Sequence, residues 1–249
     1  MYKCPKWLTW LAVAGFWLSV WTLGCFVANH SLLMPLPYPW DVAKSLWHLL
    51  GDGVFWADVG MSLLRILVGF VTAVVVGVVL AVLTTRFRVL HTLFSPVLSA
   101  VRAVPVASFI FLAFLWIAAD WMPVFIAFLM VVPLVWENVR QGILSTDHSL
   151  LEMAQVFRLS RSKRFANVWL PSVRPHLSAA LTTGFGFAWK SGIAAEIICT
   201  TGNSIGAQIA ASKSTLNYAQ VFACTVVVVL LSVLLERLLH RAMRKEVAV

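Results

Sequence analysis

The stretch LLRILVGFVTAVVVGVVLAVLTT, residues 63–85, decides the fold class. It carries a single charge, Arg65, and is otherwise almost wholly apolar. An apolar run of at least about 18 residues is long enough to cross a bilayer as a helix. Every fourth position is small, which places the small residues on one helical face where a second helix can approach closely. These residues are Gly69, Ala73, Gly77 and Ala81. The stretch predicts a membrane-spanning helix packed through that face.

The rest of the chain has the same character, because 61% of its 249 residues are hydrophobic and only 12% are charged. A soluble domain is about a quarter charged. The composition therefore predicts an all-α polytopic membrane protein with six transmembrane helices. The predicted spans are Trp7–Ala28, Leu63–Thr85, Pro96–Ala119, Trp121–Val139, Leu177–Cys199 and Ala219–Leu239. The first is longer than the apolar core of a secretion signal, so we interpret it as a span.

The basic residues responsible for the net charge of +9 are distributed unequally between the two sides of the predicted membrane protein. With the N-terminus inside, only Lys44 and Lys213 fall in outer loops, and the other basic residues outside the spans fall in inner segments. We therefore predict cytoplasmic termini and no nucleic-acid partner. The inner basic residues are Lys3, Lys6, Arg86, Arg88, Arg140, Arg158, Arg161, Lys163, Arg164, Arg174, Arg237, Arg241, Arg244 and Lys245.

Residues 184–191, GFGFAWKS, approximate a phosphate-binding loop but lack its glycine before the lysine, where Trp189 stands. Gly184 and Ala188 of this stretch belong to a second face with small residues at intervals of four, which ends at an acid. That face consists of Ala180, Gly184, Ala188, Gly192 and Glu196. The four cysteines and six histidines are scattered, so no disulfide framework, metal site, cofactor or catalytic residue is predicted in the chain.

Prolines divide the remaining sequence. In the outer segment after the first span, prolines precede a short helix that Asp41 is predicted to cap and Gly51 to end. The third span is predicted to be interrupted at Pro96 and Pro105, and the fourth at Pro123 and Pro133. Such breaks are typical of helices that line a polar pathway and, equally, of proline-kinked packing without one.

The longest inner segment, about residues 147–172, predicts a hairpin of two short amphipathic helices. Asp147 caps the first, and Ser160 caps the second, which covers Arg161–Val168 and stops at the prolines that follow. Arginine-rich helices at this face either bind a protein partner or lie on anionic lipid, and the residues alone leave both open.

This hairpin resembles the signature of ABC-transporter permeases of the importer type. The family shows Glu-Ala-Ala, three residues, Gly, nine residues, an aliphatic residue, any residue and Leu-Pro. Here Glu152-Met153-Ala154 is followed at the same spacing by Arg158, Val168 and Leu170-Pro171. Arg158 replaces the turn glycine, so it must either adopt the left-handed conformation or let the first helix run on.

Residues 33–240 further resemble the permeases of nitrate, taurine, sulfonate, bicarbonate and thiamine-precursor importers. The matching motifs are Pro35 and Pro37 with Val42, Ser62-Leu63 with Arg65 and Gly69-Phe70, Arg102-Ala103-Val104-Pro105, and Ala194-Ala195-Glu196. Asp58 stands where the branch often has histidine, and one proline stands where three are usual after Arg102.

The resemblance implies a permease core over residues 61–249 that follows a first helix and outer loop over residues 1–60. Two permease copies, expected to be identical, would form the pathway in a bacterial inner membrane. Two ATPase subunits, which bind ATP and Mg²⁺, would dock on the hairpin, and a solute-binding protein would deliver substrate outside. The chain itself is expected to be no enzyme. The implied coupling residues are Glu152, Ala154, Arg158, Arg161, Arg164, Leu170 and Pro171.

Four charges within the spans are candidates for the translocation pathway or for structural burial. Counting helical rise places Arg102 and Lys190 near the midplane and Arg65 and Glu196 near the outer leaflet. We predict that Arg65 pairs with Glu196, which leaves two uncompensated cations suited to an anionic solute. Alternatively, Arg102 binds carbonyls freed near Pro105, and Lys190 snorkels or faces the dimer seam.

The sequence therefore predicts the permease subunit of an ATP-driven importer for a small solute, with an anion as the expected class. The alternative is a self-sufficient channel or membrane scaffold whose hairpin lies on lipid.

Overall fold

The computed structural model describes residues 6–31 and 36–247, which form helices joined by short connections without any strand. The all-α fold class is confirmed. Lys3 and Pro35, which carried part of the sequence interpretation, lie outside the described residues. The helices are α1 (Lys6–Ser31), α2 (Pro39–Leu50), α3 (Gly53–Arg86), α4 (Arg88–Ala103), α5 (Val106–Ala113), α6 (Met122–Leu144), α7 (His148–Val156), α8 (Arg161–Arg164), α9 (Leu170–Cys199), α10 (Ile205–Ser214) and α11 (Tyr218–Val247).

Four stretches within the described residues are long and apolar enough to cross a membrane. They are Leu11–His30, Gly53–Arg86, Ala119–Leu144 and Tyr218–Met243. The pair α4 and α5 makes a fifth only if its 105° bend is counted within one span. Helix α9 covers 30 residues, but its small and polar side chains keep it below the apolarity of the others. The predicted count of six spans therefore stays a prediction.

Two compact units make up the chain: residues 1–57 with 208–229, and residues 58–207 with 230–249. In the first unit, Pro39 opens α2 after Tyr38, which occupies the N-cap position with extended backbone. Asp41 lies inside the first turn, so its predicted capping role is wrong. The helix ends before Gly51, as predicted. All predicted site residues belong to the second unit.

The second unit is built on close packing of α3 against α6. A Cβ added at Gly69 would meet the carbonyl oxygen of Val124 and lie 3.0 Å from the Cβ of Ala127. A Cβ at Gly77 would lie 2.8 Å from that of Val135. Since side chains at these positions would collide with α6, the predicted small-residue face is confirmed. Its alanines are fully buried.

Helix α9 packs on the same two helices through its own small face. A Cβ at Gly184 would lie 3.4 Å from side-chain atoms of Val131 and Leu134 on α6. Gly192 lies directly against Ile66 of α3. The stretch GFGFAWKS is thus part of a packed helix, with Trp189 only 1% exposed, and forms no phosphate-binding loop.

The prolines interrupt fewer helices than the sequence suggests. Pro96 and Pro133 lie inside α4 and α6, and Pro123 lies in the first turn of α6, where no amide donor is needed. Of the four prolines predicted to break spans, Pro105 alone separates two helices, because it forces Val104 into extended backbone with φ −86° and ψ 135°. The predicted interruptions at Pro96, Pro123 and Pro133 are wrong.

Candidate functional site

Both predicted caps of the hairpin are confirmed. The Asp147 carboxylate accepts a hydrogen bond from the amide of Ser149 at 2.9 Å, which lowers the pKa of that carboxyl. The hydroxyl of Ser160 accepts from the amide of Lys163 at 3.4 Å. Each cap satisfies a donor that a helix start leaves without an intrahelical partner. The first helix, α7, therefore begins where the sequence predicts.

Arg158 ends α7 in the left-handed conformation, with φ 49°. Its amide donates to the carbonyl of Gln155 at 2.9 Å, and the amide of Leu159 donates to the carbonyl of Ala154 at 3.0 Å. This pair of bonds is the Schellman motif, in which glycine usually occupies the left-handed position. The sequence left two alternatives open, a left-handed Arg158 or a first helix that runs on. The structure shows the left-handed Arg158, so the turn forms despite an unfavourable backbone conformation.

Replacing Arg158 by glycine is expected to stabilise the hairpin by about 1 kcal/mol, because a left-handed L-residue costs about 1–2 kcal/mol and glycine loses more freedom on ordering. Amide hydrogen exchange at Leu159 measures the change, since its bond to Ala154 closes the turn. Arg161→Gly serves as the control, because it places glycine within helix α8 of the same hairpin and is expected to lower protection. Unchanged exchange in Arg158→Gly would contradict the left-handed turn.

The implied coupling residues lie on different sides of the hairpin. Ala154 is 1% exposed and belongs to its packed side. Glu152 is exposed and contacts the Nδ1 atom of His148 at 3.3 Å, an ion pair when the histidine is protonated. Arg161 is exposed, and Arg164 is half-buried. Leu170 and Pro171 form the exposed start of α9.

The second helix of the hairpin does not stop at the prolines. Helix α8 passes through a π-helical segment, Phe165–Trp169, directly into α9, with Pro171 in its first turn and Pro175 inside it. The predicted end at Val168 is therefore wrong. A π-helical turn shifts the backbone hydrogen-bonding pattern by one residue, and such a shift accommodates a proline whose nitrogen has no hydrogen to donate.

The two cations predicted to lie near the midplane have different surroundings. Arg102 donates from Nη2 to Oε2 of Glu137 at 3.3 Å, and their side chains are 44% and 40% exposed. The prediction that Arg102 is uncompensated is wrong, because its partner lies on α6. Lys190 is exposed on α9 and has no ion pair among the residues that the structure describes.

Arg65 joins α3 to the connection before α6 and to the loop that follows α9. Its Nη2 atom lies 3.1 Å from Oδ1 of Asp120. Its Nη1 atom donates to the carbonyl oxygens of Gly202 and Asn203 at 3.0 and 3.2 Å. The predicted pair with Glu196 is therefore wrong: Asp120 takes the ion-pair position, and the arginine also holds the backbone that follows α9.

Glu196 is fully buried and makes its hydrogen bonds to neutral groups. Its Oε2 atom accepts from the hydroxyl of Ser62 at 2.8 Å and from the amide of Gly206 at 3.3 Å. The hydroxyl of Ser62 in turn accepts from the amide of Ile205 at 3.1 Å. The carboxylate thus lies where the first amides of α10 point, a position that favours negative charge.

We call this arrangement the outer clasp: Ser62, Arg65, Asp120 and Glu196 with residues 200–206. Its loop includes Thr200 and Asn203 with positive φ of 50° and 48°. A β-branched residue adopts this conformation rarely. The backbone carbonyl of Glu196 accepts from the amide of Thr201 at 3.2 Å, so the same residue holds the loop at both ends. The clasp fixes α3, α9 and the start of α10 together.

Sequence reasoning missed helix α10 and, with it, the clasp. One local signal was present: the hydroxyl of Ser204 accepts from the amide of Ala207 at 3.0 Å and so caps the helix. Within residues 6–31 and 36–247, no group of three potential metal ligands comes together.

Residues 73–245 match the family described as the binding-protein-dependent transport system inner membrane component. The chain belongs to this family of membrane-transport permeases. The resemblance inferred from the hairpin is thereby confirmed.

Several curated relatives are similar to this chain along most of their own length. A Brucella melitensis protein named as a probable ABC transporter permease is 27% identical over 89% of this chain and 90% of its own. The nitrate import permease protein of Leptolyngbya laminosa is 26% identical over 89% of this chain and 81% of its own. The taurine transport system permease protein of Escherichia coli is 25% identical over 92% of this chain and 84% of its own.

A solved structure shows the same fold. The crystal structure of an amino acid ABC transporter with histidines contains a chain that matches with a TM-score of 0.63 and 16% identity. The match covers 78% of this chain and 93% of that one.

Proposed function

We propose that the chain is the permease subunit of an ATP-driven importer for a small anionic solute. It works as a homodimer in a bacterial inner membrane, with both termini in the cytoplasm. The observation that carries the proposal is the hairpin. It keeps the family's signature spacing and, at Arg158, the left-handed turn that the family makes with glycine.

The hairpin is the proposed contact with two ATPase subunits, which hold the ATP and Mg²⁺. Its outer surface offers apolar side chains that are 48%, 80% and 72% exposed, namely those of Met153, Val156 and Phe157. Exposed apolar residues beside cations suit a protein groove with an acidic rim. Arg161 supplies one such cation, and Arg164 supplies a second.

The solute class rests on two supports. The relatives include permeases named for nitrate, taurine and bicarbonate, and nitrate and bicarbonate are anions. Lys190 is an exposed cation on a predicted span and has no ion pair in the described part of the chain. We assign Lys190 to the pathway between the two permease copies. Arg102, which is paired with Glu137, has the weaker claim, and Arg65 and Glu196 serve the clasp.

Purification of the chain from its native membrane in mild detergent, followed by mass spectrometry, tests the proposal. An ATPase and a solute-binding protein are expected in near-stoichiometric amounts. In the reconstituted complex, Lys190→Gln is expected to lower anion uptake about tenfold, the cost of one hydrogen bond to a charged group. Lys213→Gln, at an exposed lysine in the last turn of α10, is the control. If the chain purifies alone and conducts solute without ATP, it is a channel and the proposal fails.

A further inference from the structure

An open slot of about 580 Å³ lies between α3, α6 and α9, within the range of small-molecule sites, about 300–1,000 Å³. One end is lined by side chains of Val78, Val82, Val139, Val173 and Leu177. These are aliphatic residues without a polar side-chain atom. The slot is therefore suited to a hydrocarbon chain.

The other end of the slot lies where α3 stops, and there a few polar groups stand among the apolar side chains of Ile143, Phe165 and Leu170. Thr85 and Arg86 line it from α3, and Trp169 lines it from the π-helical segment. Arg86 is eight residues from Val78, and Trp169 is eight from Leu177, so the slot runs about 12 Å along both helices. A slot with a few polar groups at one end and only aliphatic side chains at the other suits an amphiphile aligned with the helices.

The mouth of the slot, the end lined by Thr85, Arg86 and Trp169, carries hydrogen-bond donors and no acidic side chain. Arg86 is exposed and has no ion pair among the described residues; its guanidinium carbon lies 5.9 Å from the ring centre of Phe87. The indole N–H of Trp169 likewise has no acceptor in the described part of the chain. No lining residue is acidic, and two further basic residues, Lys163 and Arg164, directly precede the π-helical segment. The mouth therefore favours a negatively charged group.

We propose that this slot is a binding site for an anionic glycerophospholipid. One acyl chain lies among the valines of α3, α6 and α9, and the phosphate accepts hydrogen bonds from Arg86 and the Trp169 indole. Tryptophan and arginine both favour the depth at which lipid headgroups lie. We separate this slot from the proposed solute pathway, because its aliphatic end offers an anion no hydrogen-bond donor.

Native mass spectrometry of the full chain, with any co-purifying subunits, tests the site by titration with phosphatidylglycerol and with phosphatidylcholine of equal chain length. The wild-type protein is expected to retain phosphatidylglycerol more strongly. Arg86→Gln is expected to weaken phosphatidylglycerol binding about tenfold, through the loss of a hydrogen bond to a charged group. Arg88→Gln, which removes an exposed arginine outside the lining, is the matched control and is expected to bind as the wild type does.

A second pair of variants tests the apolar end. Val82→Trp fills the slot and is expected to abolish retention of both lipids. Val79→Trp makes the same change on the same helix outside the lining, at a residue of nearly equal exposure, 50% against 51%.

Equal lipid retention by these two variants overturns the proposal. The proposal is also overturned if the wild-type protein binds the two lipids equally and Arg86→Gln does not change that binding. If a dimer dissociates in Val82→Trp but not in Val79→Trp, the slot is a contact between copies, and this result overturns the proposal as well. If Val82→Trp does not elute as a folded peak, the arginine pair decides.

Discussion

Replacing Gly69 by leucine is expected to abolish the folded protein. A Cβ at this position would meet the Val124 carbonyl oxygen and lie 3.0 Å from the Cβ of Ala127. Part of this obstacle is backbone of α6, which cannot rotate away as a side chain can. Overpacking of this kind typically costs about 1–3 kcal/mol, and separation of α3 from α6 adds the loss of their remaining contacts. Size-exclusion chromatography in detergent should show aggregate in place of a monodisperse peak.

The matched control is Gly60→Leu on the same helix. A Cβ at Gly60 would meet nothing within 4 Å, and the residue is exposed. Because leucine favours a helix by up to about 1 kcal/mol over glycine, this variant should be as stable as the wild type or more so. A Gly69→Leu protein with the elution and melting temperature of Gly60→Leu would contradict the close approach of α3 and α6.

Replacing Glu196 by alanine is expected to destabilise the protein by about 2–4 kcal/mol, because it leaves the buried Ser62 hydroxyl and the Gly206 amide without their shared acceptor. Glu196→Gln should cost less than half as much, since its amide oxygen accepts the same two bonds. Thermal unfolding in detergent measures both. Amide exchange at Ile205 and Gly206 reports whether the clasp itself opens.

Asp120→Asn removes the exposed carboxylate of the clasp and so separates the hydrogen bonds of Glu196 from a general effect of lost charge. Asp120 is 67% exposed, so its ion pair with Arg65 is expected to contribute less than about 1 kcal/mol. The predicted order of stability is therefore wild type, Asp120→Asn, Glu196→Gln and Glu196→Ala. If the alanine variant melts as the wild type does, the hydrogen bonds to Glu196 do not hold the clasp.

Features set by neighbouring residues in the sequence were predictable. The small residues of α3 and α9 recur with helical spacing, so their burial against α6 followed from the pattern. The caps at Asp147 and Ser160 also depend on amides only two or three residues away. The turn at Arg158 was predictable as a choice between two backbones, although only the structure shows which one is taken.

Features set by distant residues were not predictable. Asp120 and Glu196 are both acids near the outer end of the spans, and only the three-dimensional placement of the connections shows which of them meets Arg65. The bonds from Arg65 to Gly202 and Asn203 depend on a loop that the sequence pattern did not mark. The path of the helix through Pro171 and Pro175 likewise depends on a π-helical turn, which no local residue preference predicts.

The uninterrupted path from α8 through the π-helical segment to the end of α9 has a mechanical consequence. At about 1.5 Å per residue this rod is nearly 60 Å long, with the hairpin at one end and Glu196 at the other. Gly184, which packs against Val131 and Leu134 of α6, lies near its middle. A rigid tilt of about 5° about that point moves each end by about 2–3 Å, in opposite directions. Such a tilt would move the hairpin and the Glu196 end together, without any helix having to unfold.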